Sequence, residues 1–510
     1  MPELLRGFSL RFQQLGRAVD PERTFRELFA SSPYAFWLDS SLLDPDLSRF
    51  SFFGDCGGPD GEVLSYNVTA GAVEVLRAEE SATLIAGSIF DVLEQRLAER
   101  EIERPPELPF DFDSGYVGYL GYELKADCGS PNRHASTLPD ALWLSATRLI
   151  AVDHQQRETW LLALCGPDPA SEQAAEEWLE ETRTRLGLLP AVAPAEALDL
   201  SAADDLDLES WLVRPLAQYL ADIESCQEKL RSGDSYEICL TDTFELPFEG
   251  EPFELYCRQR RANPAPYAAY LQFPEAAVLC SSPERFLKID RERIAESKPI
   301  KGTARRQADA QADAQVREEL AASAKTQAEN LMIVDLLRND LGRVCDIGTV
   351  SVPKLMAVES YTTVHQLVST IRGRLRDDIS AVAAIRACFP GGSMTGAPKL
   401  RTMEIIDTLE TRARGVYSGA IGFFGLSGAA DLNIVIRTMV IEGERLTVGA
   451  GGAIVLESDA EEEFEEMLLK ANAPLRALGA KPSKEPRGWL ARDIRGFPWR
   501  AAKRAGRFAR

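Results

Sequence analysis

Histidine is scarce in this chain: three residues in 510, at positions 134, 154 and 365. The nine cysteines are scattered from Cys56 to Cys388 without a CxxC pair. Zinc sites draw on clustered His and Cys, so no zinc centre is expected, and dispersed thiols suit a cytoplasmic enzyme. No stretch reaches the roughly 18 apolar residues of a membrane span. Residues 1–20 lack the basic-then-apolar order of a signal peptide. Neither GxGxxG opening a helix nor a GK[ST] phosphate loop occurs. The one candidate for a nucleophile elbow, Cys56 in Gly54-Asp55-Cys56-Gly57-Gly58, has no helical pattern after it and reads as a plain turn. No glutaminase is therefore visible within the chain.

Positive charge is also short, with 57 Lys and Arg against 79 Asp and Glu, a formal net charge of −22. This argues against nucleic acid as the main partner, because binding phosphates needs a basic face. An anionic substrate would need cations placed locally, or a metal, and any metal here is expected on carboxylates rather than thiols or imidazoles.

What is present is a globular composition, 45% hydrophobic and 27% charged, long enough for two domains or one large two-lobed unit. Residues 1–207 read as a mixed helix and strand region, with buried-strand patterns at 36–41 and 110–122. An acidic amphipathic helix follows over 171–189, then an Ala, Pro and Asp-rich linker over 190–207. Residues 208–480 form the second region. Residues 481–510 are a basic tail with ten Lys or Arg against two acids, net +8, which either folds back on the acidic body or meets an acidic partner, nucleic acid or a membrane surface.

The second region opens with a helix over 212–233 and a strand over 236–244. A strand pair around Ser281-Ser282-Pro283-Glu284-Arg285-Phe286 leads into SKPIKGT, residues 297–303. That heptapeptide either is an ordinary polar turn or leaves the Lys301 amine at a strand end, with Gly302 admitting a ligand to the backbone and Thr303 offering a hydroxyl. A long helix is expected from about 310 to 341, with Leu331, Val334, Leu337 and Leu341 on one stripe and Glu329 beside it. FPGGSMTGAPK, residues 389–399, opens another helix with Pro398 in its first turn. Strands follow over 415–424 and 431–441. The second carries Arg437, which needs either a core carboxylate or a substrate carboxylate. A bare glycine turn, Gly449 to Gly452, precedes a helix with a capping-box spacing at Ser458 and Glu461. Glu463, Glu466 and Lys470 share a face of that helix, as a solvated face or as part of a site.

SPERF, PIKGT, AENLMIVDLLRNDLGRV, FPGGSMTGAPK, RGVYSGAIG, DLNIVIRT and GAGG followed by ExxExxxK occur in the order seen in chorismate-using enzymes. Over roughly 212–478 the chain resembles the large subunits, or component I, of aminodeoxychorismate synthases, which are related to anthranilate, isochorismate and salicylate synthases. The resemblance implies an α+β fold in which stacked antiparallel sheets carry helices on their outer faces. It implies a magnesium ion on Glu329 and Glu466, with Glu463 nearby, bound to the ring carboxylate of chorismate. It places Arg437 and Tyr417 on the enolpyruvyl carboxylate. Thr303, Gly449, Gly451, Gly452, Lys470 and His365 line the substrate site, and Glu284 is the acid that protonates the departing hydroxyl.

Lys301 separates the sister reactions, since the anthranilate, isochorismate and salicylate enzymes carry alanine at its place. A neutral amine there attacks the ring and is displaced by ammonia, which a separate glutaminase subunit delivers, on the way to p-aminobenzoate and folate. Desolvation or Lys298 is expected to lower the amine's pKa, while for Glu284 neighbouring carboxylates would raise the pKa and the magnesium charge would lower it. Thr326 stands where relatives carry an acid. Glu237 stands where the water-using enzymes carry a lysine, which argues against water as nucleophile. The alternatives are an anthranilate synthase, or a homologue that binds chorismate without turnover.

Overall fold

Runs such as Ala141–Ser145 and Ala276–Ser282 are buried at every position, and strands apolar on both faces belong inside a layered structure. The computed structural model describes residues 7–44, 47–78, 80–190, 198–200, 206–361, 364–479 and 481–482. In it these strands join two large antiparallel sheets, one of eleven strands and one of twelve. The inner faces meet in an aromatic core, where Phe52 of the first sheet packs against Phe423 of the second and against Phe112, which stacks on Phe423 with centroids 4.4 Å apart. Helices Leu216–Arg231, Pro252–Ala262 and Ala460–Gly479 cover the outside of the first sheet. Ile89–Glu99, Ala324–Gly342 and Ala381–Cys388 cover the second. The α+β expectation of stacked sheets with helices outside holds.

The division into 1–207 and 208–480 does not describe separate cores. Strand Ala35–Asp39 pairs with Tyr267–Gln272, Trp37 opposite Tyr270, and Gly115–Leu120 pairs with Ala420–Gly425, Gly118 opposite Gly422. Strands from each half thereby complete sheets that the other half would leave with open edges. The composition change at 190–207 marks a connection, of which Leu198–Asp199 pairs with Lys481–Pro482. Most of that linker, and the basic tail beyond 482, lie outside the described residues.

Three local expectations change. The helix expected over 310–341 is two, Ala310–Ala322 and Ala324–Gly342. Ser323 ends the first in an extended conformation and caps the second, its hydroxyl accepting from the Thr326 N–H. Leu331 is 47% exposed, and the inward stripe of the second helix is Asn330, Ile333, Val334, Leu337 and Leu341. The strand expected over 431–441 is also two. Ala430–Ile434 lies in the second sheet and Thr438–Glu442 in the first, so the chain crosses between sheets at Val435 to Arg437 and puts Arg437 at φ 54°. Helix Ala460–Gly479 is capped by Asp459, which accepts from the Glu461 and Glu462 N–H groups. Ser458 bonds Glu463 instead.

Candidate active site

Strand Ile300–Arg305 pairs with Val364–Arg374, but its register slips between Ile300 and Thr303, freeing Lys301 and Gly302 from regular pairing. The Lys301 ammonium reaches across to the start of strand Glu237–Pro247, where Nζ donates to Glu237 Oε1 at 2.8 Å. Glu237 is fully buried and, among the described residues, its Oε2 has no hydrogen-bond partner. Burial works to lower the Lys301 pKa, but the attraction of Glu237, helped by Glu329, outweighs it and holds the amine above the ordinary lysine range. This corrects the expected depression. Lys298 does not supply it either, since its Nζ is turned to Glu359 at 3.2 Å.

Gly302, at φ 83°, leaves room for a helix and not for a ligand. A Cβ there would come 2.5 Å from Thr326 Cγ2 and 2.9 Å from Leu320 Cδ1. Thr326, in place of an acid, is the residue that fills this gap.

Glu284 lies between strands Ala276–Ser282 and Arg285–Ile289, where the chain passes from the first sheet to the second. Its N–H is held by Ser282 Oγ, and its carbonyl accepts from the Ile434 N–H at 3.0 Å. Burial pushes its carboxyl up to about 7, against the pull of bonds from Ser393 and the Ile300 N–H and of the Lys301 and Lys470 charges. The lift comes from desolvation, where repulsion by neighbouring carboxylates was expected. A carboxyl that titrates near neutrality and the Lys301 amine are thus electrostatic neighbours.

Opposite them the Tyr417 ring lies on Gly449, where a Cβ would be 2.2 Å from Cγ. The turn that presents Tyr417 is fixed by Arg414, which bonds Glu410, the Cys239 and Met394 carbonyls and Ser418, and lies 4.4 Å over the Tyr122 ring. Glu123 accepts from the Arg414 and Gly415 N–H groups, each at 2.9 Å. Among the described residues no carboxylate forms an ion pair with the Arg437 guanidinium, whose pKa burial lowers despite nearby Tyr417 and Glu466. A core carboxylate partner is therefore not found, and the cation is free for a bound anion. Lys470 donates to the Gly451 carbonyl at 2.9 Å and pairs with Glu466 at 2.7 Å. Gly451 is glycine because Leu240 O would lie 2.1 Å from a Cβ, and Gly452 because Glu463 Oε2 would lie 2.9 Å away.

Glu329, Glu463 and Glu466 are brought into one neighbourhood, around Lys325, whose Nζ donates to Glu463 Oε1 at 3.1 Å and feels all three charges. Burial raises the Glu329 pKa, and the attraction of Lys470 helps to lower that of Glu466 despite the cost of burial. Among the described residues no three His, Cys, Asp or Glu converge as a ready metal cage. Oxygen donors that already attract a cation fit magnesium, which takes one or two carboxylates and keeps waters.

His365 stands apart from this space. Its Nδ1 bonds Ser360 Oγ at 2.8 Å and its Nε2 bonds Asp313 Oδ1 at 3.1 Å, so both ring nitrogens have protein partners. The second of these bonds ties its strand to helix Ala310–Ala322. Thr303 Oγ1 is reached by Gln366 Nε2 at 3.4 Å. Glu237, Ser393, Lys325 and Arg414 were not assigned roles from sequence. Ser393, inside FPGGSMTGAPK, and Arg414, inside RGVYSGAIG, lay in motifs that flagged them.

A family model described as chorismate binding enzyme matches residues 53–476. The chain is 50% identical over 473 residues to an aminodeoxychorismate synthase of Streptomyces pristinaespiralis, covering 92% of this chain and 65% of that protein. It therefore spans less than two thirds of that relative's length. It is 36% identical over 449 residues to aminodeoxychorismate synthase component 1 of Escherichia coli (strain K12), covering 88% of this chain and 93% of that protein. Among solved structures, anthranilate synthase component I from Streptococcus pneumoniae TIGR4 matches with a TM-score of 0.70 at 29% identity, over 85% of this chain and 94% of that one.

Proposed function

The chain belongs to the chorismate binding enzyme family, and from that premise we propose that it converts chorismate and ammonia into 4-amino-4-deoxychorismate. The observation that carries this reading is Lys301, a partly buried amine bonded to Glu237 at 2.8 Å beside the acid Glu284. The names of the relatives favour the same choice among the sister reactions.

Lys301, once neutral, attacks C2 of the ring. The electron pairs shift through the two ring double bonds, the C4–O bond breaks, and Glu284 gives its proton so that the oxygen leaves as water. Ammonia then attacks C4, the double bonds return, and the C2–Nζ bond breaks to release the lysine. The enolpyruvyl group stays on, held at its carboxylate by Arg437 and Tyr417. Glu329 and Glu466, with Glu463 beside them, would hold a magnesium ion, whose charge when bound neutralises the ring carboxylate and favours loss of the hydroxyl. Thr303, Lys470 and the backbone at Gly449 to Gly452 line the pocket. A separate glutaminase subunit supplies the ammonia, and the product leads toward p-aminobenzoate and folate in the cytoplasm. Among the described residues no helix is long and apolar enough to cross a membrane.

The test is incubation with chorismate, magnesium and excess ammonium, with products identified by mass and pyruvate assayed. An amino product that retains the pyruvyl group, formed without pyruvate, is expected. Anthranilate with pyruvate would put the sister reaction in its place. No turnover, even with a glutaminase subunit and glutamine, would leave a homologue that only binds chorismate.

A further inference from the structure

Glu237 is the charged residue of the site that the mechanism above leaves without a task. It is fully buried, one oxygen accepts from Lys301 at 2.8 Å, and the other, Oε2, is a buried acceptor without a partner among the described residues. A buried carboxylate with a spare lone pair is costly to keep unless something approaches it. Its partner is equally poorly suited to its own task as it stands, since the amine that must attack is held charged by this same carboxylate.

We propose that Glu237 is the general base of the reaction, taking the proton from Lys301 Nζ as chorismate closes over the pair and returning it when ammonia displaces the lysine. The proposal rests on the reading of Lys301 as nucleophile. The proton ledger closes. Lys301 passes one proton to Glu237, and its lone pair forms the C2–N bond while Glu284 protonates the leaving oxygen. After ammonia attacks C4, the lysine departs as a neutral amine and recovers the proton from Glu237. Glu284 regains its own from the new C4 ammonium. No outside acid or base is consumed. Binding a dianion beside Lys301 excludes water, and a neutral amine with a neutral acid is then easier to keep than a separated charge pair.

The charged and titratable groups around the pair come from every neighbouring element: Cys239 on the strand of Glu237, Glu329 on helix Ala324–Gly342, Glu284 between its two strands, and Glu466 and Lys470 on helix Ala460–Gly479. None of these forms an ion pair with Lys301 within 4.0 Å among the described residues, whereas Glu237 does.

The test compares the full chain with Glu237→Gln by chorismate affinity, kcat and the pH profile of kcat. Glu237→Gln is expected to bind chorismate as the wild type does and to lose about 100-fold or more in kcat. Its rate should rise tenfold per pH unit where the wild type is flat, because hydroxide must then remove the proton. A kcat within about threefold of wild type, or a loss with no new pH slope, overturns the proposal, as does joint loss of affinity and rate. Should Glu237→Gln not fold, Glu237→Asp carries the test: lower kcat with affinity and profile kept supports a base, and joint loss of affinity and thermal midpoint overturns it. If the wild type forms no aminated, pyruvyl-retaining product, the functional reading fails instead.

Discussion

Gly302 and Thr326 interlock: the methyl of Thr326, on the second of the two consecutive helices, occupies the space a side chain at 302 would need, 2.5 Å from the ideal Cβ position. The contact fixes the backbone one residue from the Lys301 amine. Gly302→Ala should destabilise the fold by about 1–3 kcal/mol through overpacking, with further strain from its positive φ. Thr326→Ala in the same chain should recover part of that loss. Denaturant titration of the two variants and their combination measures the coupling.

Arg437 carries a buried charge without a carboxylate partner of its own. Arg437→Met should weaken chorismate binding by about 1.5–3 kcal/mol, the range for a hydrogen bond to a charged group. It should leave the unliganded protein as stable as before, or more so, because a desolvated cation is removed. Calorimetric titration and thermal unfolding without substrate separate the two effects. A loss of stability equal to the loss of affinity would mean that Arg437 is structural.

Glu284 sets an acid-side expectation. Its carboxyl is raised by burial from 4.5 to about 7, and the protonated form donates to the leaving oxygen, so kcat/KM should fall as pH rises through about 7. Its folded pKa exceeds the unfolded one. The stability it contributes is therefore complete below about 4.5 and lost as pH rises to about 7. Glu123, also raised to about 7 by burial, adds a parallel slope. Glu284→Gln should lower turnover by about 10²–10⁴ and remove part, not all, of the decline in thermal midpoint across that window.

The seven motifs of the second region were legible because each is contiguous and their order is kept, and Lys301, Glu284, Tyr417, Arg437 and Lys470 do meet around one space. What sequence did not yield depends on residues far apart along the chain. Glu237 and Lys301 are 64 positions apart, so only the fold reveals that the amine is paired and its pKa raised. The break at Ser323 was hidden because helical periodicity continues through it, and the break at Arg437 because apolar alternation does. His365 lies on the strand beside KGT, and Ser360 and Asp313 occupy its ring. The sharing of both sheets between halves of the chain leaves no local signature, since each strand reads the same whichever partner completes its edge.

Magnesium should act on stability as well as on rate. If Glu329 and Glu466 hold the ion, added magnesium should raise the thermal midpoint in a concentration-dependent way. Chelation should abolish turnover, and Glu329→Gln and Glu466→Gln should each lose the thermal response. Lys325 sits beside the same carboxylates, so Lys325→Gln should tighten magnesium binding by relieving repulsion, as calorimetry can record. A thermal response that persists in both glutamine variants would place the ion elsewhere.

The central claim is that Lys301 becomes covalently attached to the ring. The most direct measurement is mass analysis of the chain quenched after mixing with chorismate and magnesium while ammonium is withheld, followed by peptide mapping. The account predicts a mass increase of chorismate less one water on the peptide bearing Lys301, discharged on adding ammonium and absent from Lys301→Ala. An unmodified Lys301 throughout the first turnover, together with amino product formed by Lys301→Ala at the wild-type rate, would contradict it.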